Sequence, residues 1–305
     1  MVETRLDIGL RVAVRNEAVA LRRGAWLADL IRDRNIVRGV ELLPVDTGYP
    51  RDGAARIPGR SDGATSALWQ ALRDGSADVA WLDLRELPRT MPAGIRVVAW
   101  TERLNPRAGL AHREDTPFKG LPDGCKLTTV DAVAKAQIAA NHPDIEWVTL
   151  PGDVPTRLHK VHLRQADGAL DAAADLLILG FDDHAIEFVS TDEVLPPPCQ
   201  GIWGMCVLSE REDLASILAQ FDNEKARVCG TLERRIVDSL DPLPDTPVGV
   251  LVRSQRKKLL LDAAAVPTAS QKVVRLSVSG ASNSGDDLAA ALAEMMRQRG
   301  IGRKT

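Results

Sequence analysis

Apolar positions along the chain switch between two periods, and the switches mark out elements. Leu10 to Val14 is short and apolar enough for a strand. Glu17 to Arg34 repeats Val19, Ala20, Trp26, Leu27, Leu30 and Ile31 at helical spacing, which predicts an amphipathic helix with that stripe buried. A second strand is predicted at Val40 to Val45, then a long loop rich in Gly, Pro and charge from Asp46 to Thr65. A helix over Ser66 to Asp74 leads into ADVAWLDLRELP, Ala77 to Pro88, where a buried strand runs straight into Asp83, Arg85 and Glu86. Charge at the end of a buried strand is either surfacing or being delivered to a site. Ile95 to Thr101 reads as a further strand.

After Asn105 the alternation restarts. Helices are predicted at Val130 to Ala140 and Val154 to Gln165, with a strand at Trp147 to Leu150 between them. An apolar segment with a strand-like end covers Ala169 to Leu179, and three prolines at Pro196 to Pro198 form a hard break. Beyond it come an apolar piece, Gly201 to Leu208, and helices at Leu214 to Phe221 and Ala226 to Leu240. Strands at Val248 to Val252, Leu259 to Asp262 and Lys272 to Val278 and a helix at Gly285 to Arg299 complete the pattern. Strands alternating with helices, then a short α+β tail, predict an α/β protein of three domains. The expected divisions are 1–103 with 196–222, 104–195, and 223–305. The first two are expected to be periplasmic-binding-protein-like lobes around a cleft, with helix N-termini as seats for anions.

The 305 residues, 45% hydrophobic and 27% charged, supply enough apolar material for these cores. A formal net charge of −3 with interspersed signs argues against nucleic acid or an acidic membrane as partner. A small-molecule ligand in the cleft is the expected partner. No apolar run approaches a membrane span or a signal core, so a cytoplasmic protein is expected. Cys125, Cys199, Cys206 and Cys229 lack C-x-x-C spacing, and His159 and His162 have no third ligand nearby in sequence, so no metal site is expected.

Six segments, in one order, resemble the porphobilinogen deaminase (hydroxymethylbilane synthase) family: LRVAVRNEAVAL, ADVAWLDLRELPRTMPAGI, ERLNPRAGL, GDVPTRL, LPPPCQGIWG and LERRIVDSLDPLPDTPVG. The resemblance spans nearly the whole chain. It implies a dipyrromethane cofactor held by a cysteine thioether and extended by deamination of porphobilinogen, with one catalytic aspartate and basic residues that hold carboxylates. Carried over by position, the catalytic carboxylate is Glu86, and Arg15, Arg85, Thr129, Arg157, Gln200 and Gly201 stand at ligand-binding positions. Three family serines become Glu17, Asp83 and Asp131. Two paired arginines fall at Val133 and Ala134, a third at Pro151, a flexible Lys-Gly-Leu-Phe segment at Ser61 to Ala64, and the cofactor cysteine at Pro244.

Proline offers no nucleophile, so no dipyrromethane cofactor is expected. Two like charges 4 Å apart cost about 4 kcal/mol at an effective dielectric near 20, so added acids disfavour a polycarboxylate ligand. The expected function is a repurposed, cofactor-independent deaminase or bond-forming transferase of specialised metabolism, acting on a pyrrole-like or aminomethyl-bearing molecule. The alternative is a non-catalytic binding or regulatory protein on the same scaffold. Glu17 and Asp131, each in a helix's first turn, also read as plain helix-terminus carboxylates.

Overall fold

A computed structural model of the chain describes residues 6–47, 62–112, 121–181, 186–241, 246–267 and 270–303. It is a mixed α/β protein whose chain divides into two compact units. Among the described residues, the first comprises those within 1–49, 59–103 and 202–227, and the second those within 104–201 and 228–305.

The first unit is built on β1 (Leu6–Arg15), α1 (Ala18–Asp33), β2 (Val37–Val45), α2 (Asp62–Arg73), β3 (Val79–Asp83) and β4 (Ile95–Trp100). In the second unit, β5 (Ala108–His112), β6 (Lys126–Thr128), α3 (Ala132–Asn141), β7 (Glu146–Trp147), α4 (Val154–His162), β8 (Gly168–Ala172), α5 (Ala173–Ile178) and β9 (Glu187–Phe188) follow. The chain returns to the first unit with β10 (Trp203–Leu208) and α6 (Glu212–Leu218). Then come α7 (Glu224–Leu240), β11 (Val248–Gln255), β12 (Lys258–Ala265), β13 (Val274–Ala281) and α8 (Gly285–Gln298).

The first sheet has the order β2-β1-β3-β10-β4, with β1 parallel to both neighbours and β10 antiparallel to both of its own. Leu10, Val12 and Val14 of β1 pack with Val79 and Trp81 of β3 and Leu27 and Ile31 of α1. Each large aliphatic buried this way contributes about 1.5–3 kcal/mol. Gly24 lets α1 lie close, because a Cβ there would sit 3.0 Å from Val14 Cγ1. Arg11 fastens β1 to the start of β3. Its backbone N–H donates to Asp78 at 2.9 Å, and its Nε and Nη2 donate to the two carboxylate oxygens at 3.1 and 3.0 Å.

The second unit holds two sheets, in the orders β7-β6-β8-β5-β9 and β11-β12-β13. The antiparallel β11-β12-β13 meander is covered by α7 and α8 through Leu232, Ile236, Leu292 and Met296. Glu233 of α7 is completely buried and accepts hydrogen bonds from the backbone N–H of Cys199 at 2.7 Å and of Val252 at 2.8 Å. Cys199 has φ +65, a left-handed conformation that side chains rarely adopt, so the Glu233 carboxylate secures a strained turn just after the three prolines.

Several expectations change. Trp26, expected in the buried stripe of α1, is 41% exposed, and Arg23 takes the inward position instead. The segment Ala169 to Leu179 reverses the expected order, with strand first and helix after, because Ala172 to Ala174 is as good a helix start as a strand end. The strand expected at Trp147 to Leu150 is only Glu146–Trp147, and β5, β6 and β9 carry no sequence signal strong enough to predict them. Of the expected loop Asp46 to Thr65, α2 claims the last residues, and 48–61 lie outside the described ones.

Two stability predictions follow from these contacts. Glu233→Ala strands two buried N–H groups, so denaturant unfolding is expected to show a loss of about 2–5 kcal/mol. For Asp78, burial pushes the carboxyl up, but the hydrogen bonds and charge of Arg11, with Arg211 beyond, outweigh it and hold the pKa below its usual value. A depressed folded-state pKa gives stabilisation that is present above the unfolded value of about 4 and lost as pH falls through the folded one. The stability gap between wild type and Asp78→Asn is therefore expected to shrink as unfolding is measured from pH 7 down to pH 3; a constant gap would contradict the assignment.

Candidate functional site

In the first unit, β1 and β3 run parallel and end side by side, with Val14 opposite Trp81. The next residues of each strand therefore arrive at the same edge. Arg15 closes β1, and Asp83 closes β3 and caps a single 3-10 turn, Leu84–Glu86. That turn projects Glu86 back toward Arg15. The Arg15 guanidinium, almost wholly buried, donates through Nη1 to the Glu86 carboxylate and through Nη2 to that of Glu17. Glu86 is mostly buried, with 13% of its side chain exposed, whereas Glu17 keeps 29%. Glu17 is the residue before α1, but its side chain makes no capping hydrogen bond there; it answers Arg15 instead.

Asp83 and Arg85 form a second pair beside the first. The Asp83 carboxylate accepts from Arg85 N–H at 2.9 Å, Arg85 Nε at 2.9 Å and Arg85 Nη2 at 2.6 Å. These three hydrogen bonds fix the turn that carries Glu86. So five of the sequence candidates, Arg15, Glu17, Asp83, Arg85 and Glu86, come together at one sheet edge.

The others lie in the second unit. Asp131 is the N-cap of α3, accepting from Val133 N–H at 2.8 Å and Ala134 N–H at 3.2 Å, while Thr129 Oγ1 accepts from Asp131 N–H at 3.0 Å. The anion seat at the start of α3 thus holds its own carboxylate. Arg157 of α4 is 1% exposed, ion-paired through Nη2 to Asp171 of β8, and donates through Nη1 to the carbonyl of Gly152 at 2.7 Å. Gln200 Nε2 donates to the carbonyls of Pro106 at 2.7 Å and Arg107 at 3.1 Å, tying down that turn. Gly201 has φ +81, and a Cβ there would lie 2.9 Å from the carbonyl oxygen of Leu104, so only glycine suits the position. Pro244 lies outside the described residues. Among the described residues no cluster of His, Cys, Asp and Glu has an arrangement for a metal, and no helix is long and apolar enough to cross a membrane.

Two participants escaped the sequence reading. Asp171 sits inside an apolar run, and a lone acid in a buried strand was the signal that Arg157 has a partner there. Arg23 occupies an inward position of α1 three residues after Ala20 and four before Leu27, where helical spacing marks a charge as buried.

Residues 10–216 match the family model described as porphobilinogen deaminase, dipyromethane cofactor binding domain. Porphobilinogen deaminase 1 of Streptomyces coelicolor is 30% identical over 96% of this chain and 96% of its own. The porphobilinogen deaminases of Roseiflexus sp. strain RS-1 and Chromobacterium violaceum are 29% and 30% identical over 76% of this chain and 76% and 75% of theirs. Among solved structures, the BvgS periplasmic VFT2 domain of Bordetella pertussis aligns with 70% of this chain and 86% of that one at 18% identity and a TM-score of 0.42.

The expectation of no dipyrromethane cofactor is corrected by the family match, because the matched domain is the one that binds it. It rested on Pro244, whose structural setting is not among the described residues. In the described residues, the guanidiniums of Arg15, Arg85 and Arg157 and the hydroxyl of Thr129 are of the right chemical type for that group's carboxylates. Each guanidinium already holds an internal carboxylate, so receiving another means exchanging partners. By family model and by identity over nearly its full length, the chain belongs to the porphobilinogen deaminase family.

Proposed function

We propose that this chain is a deaminating transferase whose Glu86 carboxylate acts on an aminomethyl-bearing pyrrole, porphobilinogen or a close analogue with fewer carboxylates. The observation that carries the reading is the placement of Glu86. It stands on the short turn that directly follows β3, mostly desolvated, oriented by Arg15 and supported by the Asp83–Arg85 pair. Groups held this way on regular elements keep their geometry as charge develops in a reaction.

Loss of ammonia from an aminomethylpyrrole breaks the C–N bond. The departing amine takes the bonding pair, and the pyrrole nitrogen supplies electrons to the methylene carbon, leaving an azafulvene-like cation. A carboxylate at the pyrrole N–H stabilises that positive charge where it appears. When a nucleophilic carbon then bonds to the methylene, it must shed a proton, and in this reading the same carboxylate accepts it. Bound dipyrromethane supplies such a nucleophilic pyrrole carbon. Arg15, fixed between Glu17 and Glu86, holds the carboxylate in position through both stages.

The acids around the site support a substrate with fewer carboxylates. Glu17 and Asp83 each occupy a guanidinium that would otherwise be open to a ligand carboxylate. A cationic aminomethyl arm is correspondingly favoured. A small molecule is thus the partner this reading requires, and four buried thiols suit a cytoplasmic, reducing setting. The same internal pairing supports a second reading, binding or regulation without turnover.

Ammonia release from porphobilinogen by wild type and Glu86→Gln separates the two. Turnover by wild type, falling at least about 100-fold in the variant under conditions where it remains folded, is the expected result. No ammonia from either protein favours the second reading, and equal release from both removes Glu86 from the chemistry.

A further inference from the structure

An unpaired strand edge is a ready pairing site, and this chain closes or blunts its edges with one exception. At β4, the Trp100 N–H donates to Asp222 Oδ1 at 2.9 Å and the Trp100 carbonyl accepts from Asn223 N–H at 2.7 Å. The β2 edge carries Arg38, Glu41 and Pro44, and β7 and β9 are two residues each. Outward N–H groups of β11 are taken as well, Val250 by the Pro196 carbonyl and Val252 by Glu233, both at 2.8 Å. The exception is β13 at the other side of the same sheet, eight residues long, with no proline and Arg275 its single charge.

Register fixes which groups β13 offers. Ser282 N–H donates to the Lys257 carbonyl at 2.9 Å, so antiparallel alternation turns the even-numbered residues toward β12 and Arg275, Ser277 and Ser279 outward. Among the described residues, the backbone groups of these three have no partner, and Ser277 and Ser279 are exposed. Their side chains lie on the sheet face opposite the one that α7 and α8 cover. Lys258, opposite the small Ala281, and Arg253, which pairs with Asp262, share that face. With Arg256 and Lys257 in the turn, four cations fall within six residues, 253–258, without an acid among them. Arg256 has φ +55 as the first residue of a two-residue turn, a position that favours glycine, so a cation is kept there at the cost of strain. At the other end of the strand, Asp192 and Glu193 act on Arg275, so positive charge is concentrated toward the turn. Asp286 and Asp287 begin α8, and Asp286 is paired with Arg235.

We propose that the open edge of β13 receives an extended acidic segment of a partner protein as a fourth strand, its acidic side chains on the face that carries Arg253 and Lys258. The outward N–H and C=O groups of Arg275, Ser277 and Ser279 supply the backbone pairing, which any extended chain can use. The cations select an acidic one and set its position toward the Arg256–Lys257 turn. A second copy of this chain is a poorer occupant. Two-fold antiparallel pairing of β13 with itself brings Arg275 of each copy to the Lys258 end of the other, like charge against like. The surface is independent of whether Glu86 catalyses anything, since it requires binding alone.

The test titrates the full chain into a fluorescein-labelled octapeptide of alternating threonine and glutamate and reads anisotropy, with the threonine–lysine octapeptide as control. Wild type is expected to bind the acidic peptide saturably and at least about tenfold more tightly than the basic one, with the difference shrinking as salt is added. Amide hydrogen exchange at Ser277 and Ser279 is expected to slow when the acidic peptide binds. Ser279→Pro removes an outward N–H without removing a bond to β12, and is expected to weaken binding about tenfold or more. Arg256→Gly is expected to weaken it several-fold while raising resistance to denaturant. No saturable binding up to about 1 mM overturns the proposal, as does equal binding of the two peptides. Unchanged affinity in a folded Ser279→Pro variant overturns it too, and a wild-type dimer that this variant abolishes gives the edge to a second copy instead. If the variant fails to fold, the comparison of peptides and the hydrogen exchange on wild type decide.

Discussion

Arg15 carries a full charge into a nearly dry position at the end of β1, and the rest of the site is arranged around that fact. Two carboxylates meet it, Glu17 from the turn into α1 and Glu86 from the turn after β3. Removing either partner would leave buried charge poorly matched, which is far costlier than the pair's net contribution. The two parallel strands fix where these residues arrive, and the Asp83–Arg85 clasp fixes the turn between strand end and Glu86. The position of Glu86 is thus a consequence of sheet register rather than of a mobile loop.

The same economy recurs in the second unit with different partners. Arg157 and Asp171 pair between a helix and a strand, and Asp131 satisfies the open N–H groups of its own helix. The three arginines at positions where the family resemblance implies ligand-binding groups, Arg15, Arg85 and Arg157, are here joined to acids from the same chain. An anionic ligand held by these arginines must therefore displace an internal carboxylate, which raises the demand on its charge and shape. Arg23 is the exception, a buried cation whose neighbours are rings.

Much of this was legible in the sequence where a strong period or a strong charge contrast existed. The strand from Val79 ending in Asp83, Arg85 and Glu86 announces a site, because buried strands do not end in three charged residues without partners for them. Helix α1 was legible in extent but not in rotation. Trp26 fits an apolar stripe as well as Arg23 does not, and only the cation–π contact between them shows how the two exchange places. Strands as short as β6, β7 and β9 hold too few residues to express a period, so their existence depends on the sheet that receives them. The partners of Arg157 and Glu233 are distant in sequence, and no spacing rule connects them.

The most direct test is a crystal structure of the protein with porphobilinogen bound. The account predicts the pyrrole nitrogen within hydrogen-bonding distance of the Glu86 carboxylate, with Arg15 still bridging Glu17 and Glu86. A ligand seated away from Glu86 would contradict it.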